Sequence, residues 1–353
     1  MVSEQLATNH KRNWVVELWR FVFALAVVMV HTHGLHPENS TQYPFVGGYL
    51  GVEFFLLLTG YFTMNELAKA DDHKIKQPGF PLYFVLNKFK SVYPFVIVSV
   101  TLYCIVTGKI IGATLYEQFR RLIFGIFEMS LLQMTGLYQQ MYILPLWYLS
   151  AVLLTLPVFI WLYAHVRSFY EDLFIWLFPL GVYGFFATAH GSADWWFDTV
   201  FGFLRVGILR AMAGLCLGAL CYKLSVKLMA FGHKKLFLYA ATAFLTSTLL
   251  IMMIHGLSHL DFLLIATLTF GIIFLFSAPV PPCKNGIQQF FKFLGKFSLP
   301  LYITHWTVRD ILNLMWPQGT YWEMLPVYLV ASLLYALIIY GVITFLKLYF
   351  QKR

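Results

Sequence analysis

The chain has 353 residues, of which 59% are hydrophobic and only 12% charged. A soluble domain carries about 25% charged residues, so a water-soluble globule is excluded, and apolar runs near the roughly 20 residues that cross a bilayer recur from end to end. The formal charge of +9 falls mostly in short loops between those runs, which reads as orientation in a membrane and not as affinity for nucleic acid.

The first apolar run follows Lys11-Arg12 in the manner of a signal peptide. Glu17 and Arg20 lie inside it, however, and no small-residue cleavage site follows, so we read a retained first helix. Ten membrane helices are expected, over 13–33, 46–65, 83–108, 144–165, 173–190, 203–222, 236–255, 260–278, 297–316 and 324–346. The fold class is therefore all-α, a polytopic membrane protein forming a single domain over 1–353. The segment 113–136 carries Glu117, Arg120, Arg121 and Glu128 among apolar residues and is expected as an amphipathic helix on the membrane surface. The four cysteines, Cys104, Cys216, Cys221 and Cys283, have no metal-ligand spacing, so neither a disulfide framework nor a metal site is expected.

Ten crossings place both termini on one side. With the termini in the cytoplasm, 18 of the 25 lysines and arginines lie on the inner side and only Lys109, Arg120 and Arg121 in outer loops. That asymmetry predicts an inner or plasma membrane protein with both termini cytoplasmic. The remaining four, Arg20, Arg205, Arg210 and Arg309, fall within helices. A charge in hydrocarbon is costly, so it faces a cavity or a partner. For Arg205 and Arg309 the alternative is snorkelling from a helix end.

The sharpest pattern is in the first helix, where Arg20 is followed after ten residues by His31. Eleven steps close about three helical turns, which puts the two side chains on one face, about 16 Å apart along the axis. Glu17 is one turn before Arg20 and can pair with it. A helix-end histidine alone reads equally as an interfacial residue. In the second helix, Gly47-Gly48-Tyr-Leu-Gly51-Val-Glu53 brings a carboxylate to a depth close to that of His31. A carboxylate beside a histidine fixes its tautomer and raises its basicity, as a general base requires. The alternative for Glu53 is an ion pair with one of the helix arginines. The glycines let helices approach closely.

These segments resemble the acyltransferase-3 family of membrane proteins, which acetylate bacterial surface glycans. The resemblance rests on Arg20…His31 and on Gly51-Val-Glu53-Phe-Phe…Thr59-Gly60-Tyr61, and extends to Leu146-Trp147-Tyr148-Leu149-Ser150 and Ser298-Leu-Pro-Leu-Tyr302-Ile-Thr-His305. It implies an acyl-CoA donor, usually acetyl-CoA, bound from the cytoplasm, and a glycan or glycolipid acceptor at the outer face. It also implies that His31 is catalytic, with Glu53 as its orienting partner. Arg20, Lys88, Lys90, Trp147, Arg205, Arg210, His305 and Arg309 are then the expected donor- or substrate-binding residues. Where the family commonly has Arg-x-x-Arg before a proline, this chain has Lys88-Phe-Lys90-Ser91-Val-Tyr93-Pro94. Lysine is the poorer bidentate phosphate ligand, and the alternative for Lys88 and Lys90 is anchoring at the inner membrane face.

His305-Trp-Thr-Val-Arg-Asp310 imitates the His-x4-Asp pattern of another acyltransferase class, but on a continuous helix the two side chains point about 140° apart. His305 is expected to line the site or to make an interhelical hydrogen bond. A secondary transporter is the rival reading, since intramembrane charges also mark transport pathways. It would favour inverted repeats and paired broken helices, which the sequence does not display. A non-catalytic assembly or sensor protein on the same scaffold is a third.

Overall fold

The computed structural model describes residues 13–35, 43–138, 141–231 and 234–351. Helix α1 (Trp14–Val30) starts where the Asn13 side chain accepts the Val15 amide, and it tightens into a 3-10 turn over His31–Gly34. Helix α2 (Gly51–Leu67) follows a second 3-10 turn, Gly48–Leu50. The expected helix over 83–108 is divided into α3 (Phe80–Phe89) and α4 (Tyr93–Ile110). The physical reason is Pro94, which has no amide to continue the ladder and sits at the start of α4, where none is needed.

Helix α5 (Leu115–Met129) opens on a capping box between Thr114 and Glu117. It is amphipathic as expected, but it folds back along α4: Gln118 donates to the Cys104 carbonyl, and Gly125 lies against Cys104 and Val100. Its outward stripe, Leu115, Phe119, Ile123 and Ile126, is exposed and apolar, suited to lipid.

The second half contains α6 (Trp147–His165), α7 (Ile175–Ala189, entered through a π turn at Tyr170–Phe174), α8 (Val206–Leu228), α9 (Lys234–Met252), α10 (Leu260–Ser277), α11 (Asn285–Met315) and α12 (Tyr321–Gln351). A small antiparallel pair, β1 (Thr199–Val200) and β2 (Leu204–Arg205), precedes α8.

The chain is an all-α polytopic membrane protein. Among the described residues eight helices are long and apolar enough to cross a membrane. The other two expected spans are also helical: α2 has 17 residues, and all but the last residue of 297–316 lies within the 31-residue α11.

Two helix pairs organise the interior. Helix α8 packs closely on α2, and also on α6, α7 and α10. A Cβ on Gly60 would meet the Leu215 carbonyl, and one on Gly218 the Leu57 carbonyl, so only glycine permits this approach. Helix α11 packs on α1, with α4 and α12 on its other sides. The candidate site residues lie within and between these two pairs.

Candidate active site

His31 stands just past the end of α1, and α11 delivers His305 to it. His305 Nε2 is 3.1 Å from His31 Nδ1. His31 Nδ1 is also 2.8 Å from the Val27 carbonyl, and His305 Nδ1 is 3.2 Å from the Leu301 carbonyl. A carbonyl only accepts, so each Nδ1 carries the proton when the ring is neutral. His305 then presents a bare Nε2 that accepts from His31 Nδ1–H. The chain of donors ends at His31 Nε2, which keeps its lone pair. His305 is fully buried, whereas His31 is only partly so.

The next turns of α11 complete the surroundings. The Trp306 ring meets His31 edge-on at 5.2 Å. The Arg309 guanidinium lies 3.3 Å from the centre of that indole. Its Nε and Nη2 donate to Asp310 at 3.0 and 2.7 Å, while Nη1 is turned toward Gly34 in the turn that carries His31. Asp310 also accepts from the Tyr103 hydroxyl of α4 at 2.8 Å. Asp310 thus serves Arg309 and Tyr103, while His305 meets His31.

Glu53 is placed differently from the expectation. Its Oε1 accepts from Arg210 Nε at 2.6 Å and its Oε2 from the Tyr183 hydroxyl at 2.6 Å. Among the described residues no hydrogen bond joins it to His31. The ion-pair alternative is the one the fold adopts, because α8 brings a fully buried guanidinium directly opposite. Arg210 also reaches Asp194 at 3.3 Å and lies 5.3 Å from the Trp147 ring. Trp147 in turn stacks on Trp196 at 5.3 Å. Tyr49, whose carbonyl faces Arg210 at 3.5 Å, donates its hydroxyl to Asp261, which accepts the Ala193 amide at 2.8 Å as well.

Arg205 is not inside a helix. It caps α8 from β2, with its guanidinium over the Phe197 ring and bonded to the Phe197 carbonyl. Arg20 pairs with Glu17 at 3.1 Å, as its spacing predicts. It lines a cavity of about 300 Å³ between α1, α2, α3, α6 and α11, together with Thr59, Lys88, Ser91, Tyr148 and Tyr302. Lys88 is held by Glu66 at 2.7 Å. Lys90 is exposed and outside that lining. The inner wall of the cavity is Tyr302, whose hydroxyl donates to the Pro145 carbonyl at 2.7 Å and whose ring lies 6.1 Å from that of His305. The cavity therefore reaches from Arg20 and Lys88 to Tyr302, which separates it from His305.

Trp306, Tyr103 and Asp194 escaped the sequence reading. Tyr148 and Tyr302 stood inside the motifs already singled out, but nothing in their spacing marked them as cavity walls. A family profile described as an acyltransferase domain, that of the acyltransferase-3 family, matches residues 13–344. Neither the curated proteins nor the solved structures contain a match to this chain.

Proposed function

Since this chain belongs to the acyltransferase-3 family, we propose that it moves an acyl group, as acetyl from acetyl-CoA, from the cytoplasmic side to a hydroxyl of a glycan or glycolipid at the outer face of a cell membrane. The observation that carries this reading is the cavity that joins Arg20 and Lys88 to Tyr302, whose ring lies 6.1 Å from that of His305, the partner of His31. The two cations suit the phosphates of the donor. The largely apolar lining beyond them, with Phe55, Tyr148 and Tyr302, suits a pantetheine arm with its thioester toward His31.

In the reaction, His31 Nε2 removes the proton of the acceptor hydroxyl as its oxygen attacks the thioester carbonyl carbon. Negative charge gathers on the carbonyl oxygen, and the Arg309 guanidinium, with Nη1 free of Asp310, is the nearby positive group to stabilise it. Collapse breaks the carbon–sulfur bond, and the proton on Nε2 passes to the leaving thiolate. His305 holds the His31 Nδ1 proton throughout, the orienting task otherwise expected of a carboxylate. Glu53 and Arg210 hold α2 on α8, and Trp147 covers their pair.

The test is mass spectrometry of cell-surface glycans with and without the protein, paired with acetyl-CoA supplied to inside-out membrane vesicles. The expected result is one acetyl mass gained per modified sugar, with free thiol released in step. Thiol release only when acetyl-CoA meets the opposite face, or no glycan mass change, would overturn the reading.

A further inference from the structure

The hairpin of α4 and α5 holds a second cavity, of about 660 Å³, lined by Glu117, Arg120, Arg121, Phe124 and Tyr142 among others. With the orientation derived above, it opens on the outer face. Membrane proteins keep lysine and arginine away from that side, yet Lys109, Arg120 and Arg121, the three outer-loop exceptions, all sit on this one hairpin. Cations kept together against the general rule call for an anionic partner.

The side chains divide the work. Arg121 is committed to the fold: it bonds the Thr107 hydroxyl and the Cys104 carbonyl and lies 5.3 Å from the Tyr142 ring. Glu117 faces the same space, but its carboxylate is held by the amide and hydroxyl of Thr114 at 2.8 and 2.9 Å. Arg120 is exposed, lies 5.4 Å from the Phe124 ring and attracts the Glu117 carboxylate one turn before it, with no hydrogen bond of its own among the described residues. The cavity thus offers one exposed guanidinium with no hydrogen bond among the described residues, in a lining that also contains Phe124 and Tyr142. A guanidinium receives a carboxylate or phosphate in two parallel hydrogen bonds.

The cavity is also tied to the histidine site. Tyr142 packs 5.7 Å from Tyr103, whose hydroxyl bonds Asp310, which holds Arg309 beside Trp306 and His31.

We propose that this cavity is the acceptor site, and that the acceptor is an acidic glycan whose carboxylate or phosphate is paired by Arg120 while a neighbouring hydroxyl is presented to His31. The proposal rests on the acyl-transfer reading above. The test uses the full chain in nanodiscs with acetyl-CoA and the surface glycan isolated from the expressing cells. Arg120→Ala should raise the KM for the glycan about tenfold, as loss of a charge-assisted pair does, while the KM for acetyl-CoA stays put. Arg120→Lys, which keeps the charge but not the two parallel bonds, should recover only part of the loss, and the glycan should contain a uronate or phosphate. Arg120 is exposed, so its replacement leaves the fold intact. The same tenfold change should appear in nanodiscs with and without phosphatidylglycerol. A change seen only with that lipid assigns the cation to a headgroup and overturns the proposal, as does an acetylated glycan with no anionic group. Wild-type transfer with an unchanged Arg120→Ala sinks this proposal alone, whereas no transfer by the wild type sinks the acyl-transfer reading and this one with it.

Discussion

Two clusters of buried polar groups sit between helices, and they are built to opposite ends. In the α2–α8 cluster both Glu53 oxygens, the Arg210 guanidinium and the Tyr183 hydroxyl are matched to one another. In the α1–α11 cluster the donors run in one direction, from His31 Nδ1 to His305 Nε2 and from His305 Nδ1 to Leu301, and leave His31 Nε2 with an open lone pair. A closed network holds helices together, whereas an open one has a valence left for a substrate. Charge alone would have marked Glu53 and Arg210 as the active groups; satisfaction of hydrogen bonds points to the histidines.

The comparison breaks most visibly through stability. Arg210→Ala would leave Glu53 between helices with the Tyr183 hydroxyl as its remaining partner, a loss of about 3–5 kcal/mol for a buried pair cut on one side. We expect this variant to aggregate on size-exclusion chromatography, and Glu53→Ala to do the same. If either elutes as a monodisperse species with an unchanged melting temperature, the cluster is not the scaffold described here.

A smaller effect, confined to turnover, is expected at the other cluster. His305→Leu leaves His31 Nδ1–H with the Val27 carbonyl as its remaining acceptor and should lower kcat about 10-fold to 100-fold, part of what a positioned base contributes, with the KM for acetyl-CoA little changed. His305→Gln, whose amide oxygen can still accept that proton, should keep much more of the activity. Equal losses in the two variants would reduce His305 to a packing residue.

The mildest test lies outside both clusters and outside the spanning helices. Glu128 on α5 accepts the Tyr142 amide at 2.7 Å and the Ile143 amide at 3.2 Å, both on one oxygen, and burial pushes its carboxyl up from 4.5 to about 7. The folded state therefore holds this proton more tightly than the unfolded chain, so stability should be highest below pH 4.5 and fall as pH rises toward 7, then level off. The full span is at most about 3 kcal/mol. Glu128→Gln keeps the accepting oxygen and should lose this slope. Melting temperatures of the two proteins across that window check it, and parallel curves would contradict it.

Much of this was legible in the residues. Apolar length located the helical segments, although α11 begins at Asn285 and not at the expected 297, and the one-turn spacing paired Arg20 with Glu17, since both effects are local. The break before Tyr93 was written in Pro94, yet the apolar run 83–108 outweighed it. The partner of Glu53 was not legible, because Arg210 lies 157 residues away and nothing periodic selects it over His31. The meeting of His305 with His31 spans 274 residues and depends on how α11 leans on α1. The return of α5 along α4 escaped for a related reason. An amphipathic stripe declares which face is apolar and not whether lipid or a neighbouring helix receives the other.

The central claim is that the open valence at His31 does the chemistry while the closed cluster only holds the frame. The most direct measurement is acetyl transfer by His31→Ala in nanodiscs, with thiol release and glycan acetylation followed together. The account predicts a folded, monodisperse protein whose transfer rate falls by about 10²–10⁴, the contribution of a general base. Near wild-type transfer by His31→Ala would contradict it and would return the intramembrane charges to the transporter reading.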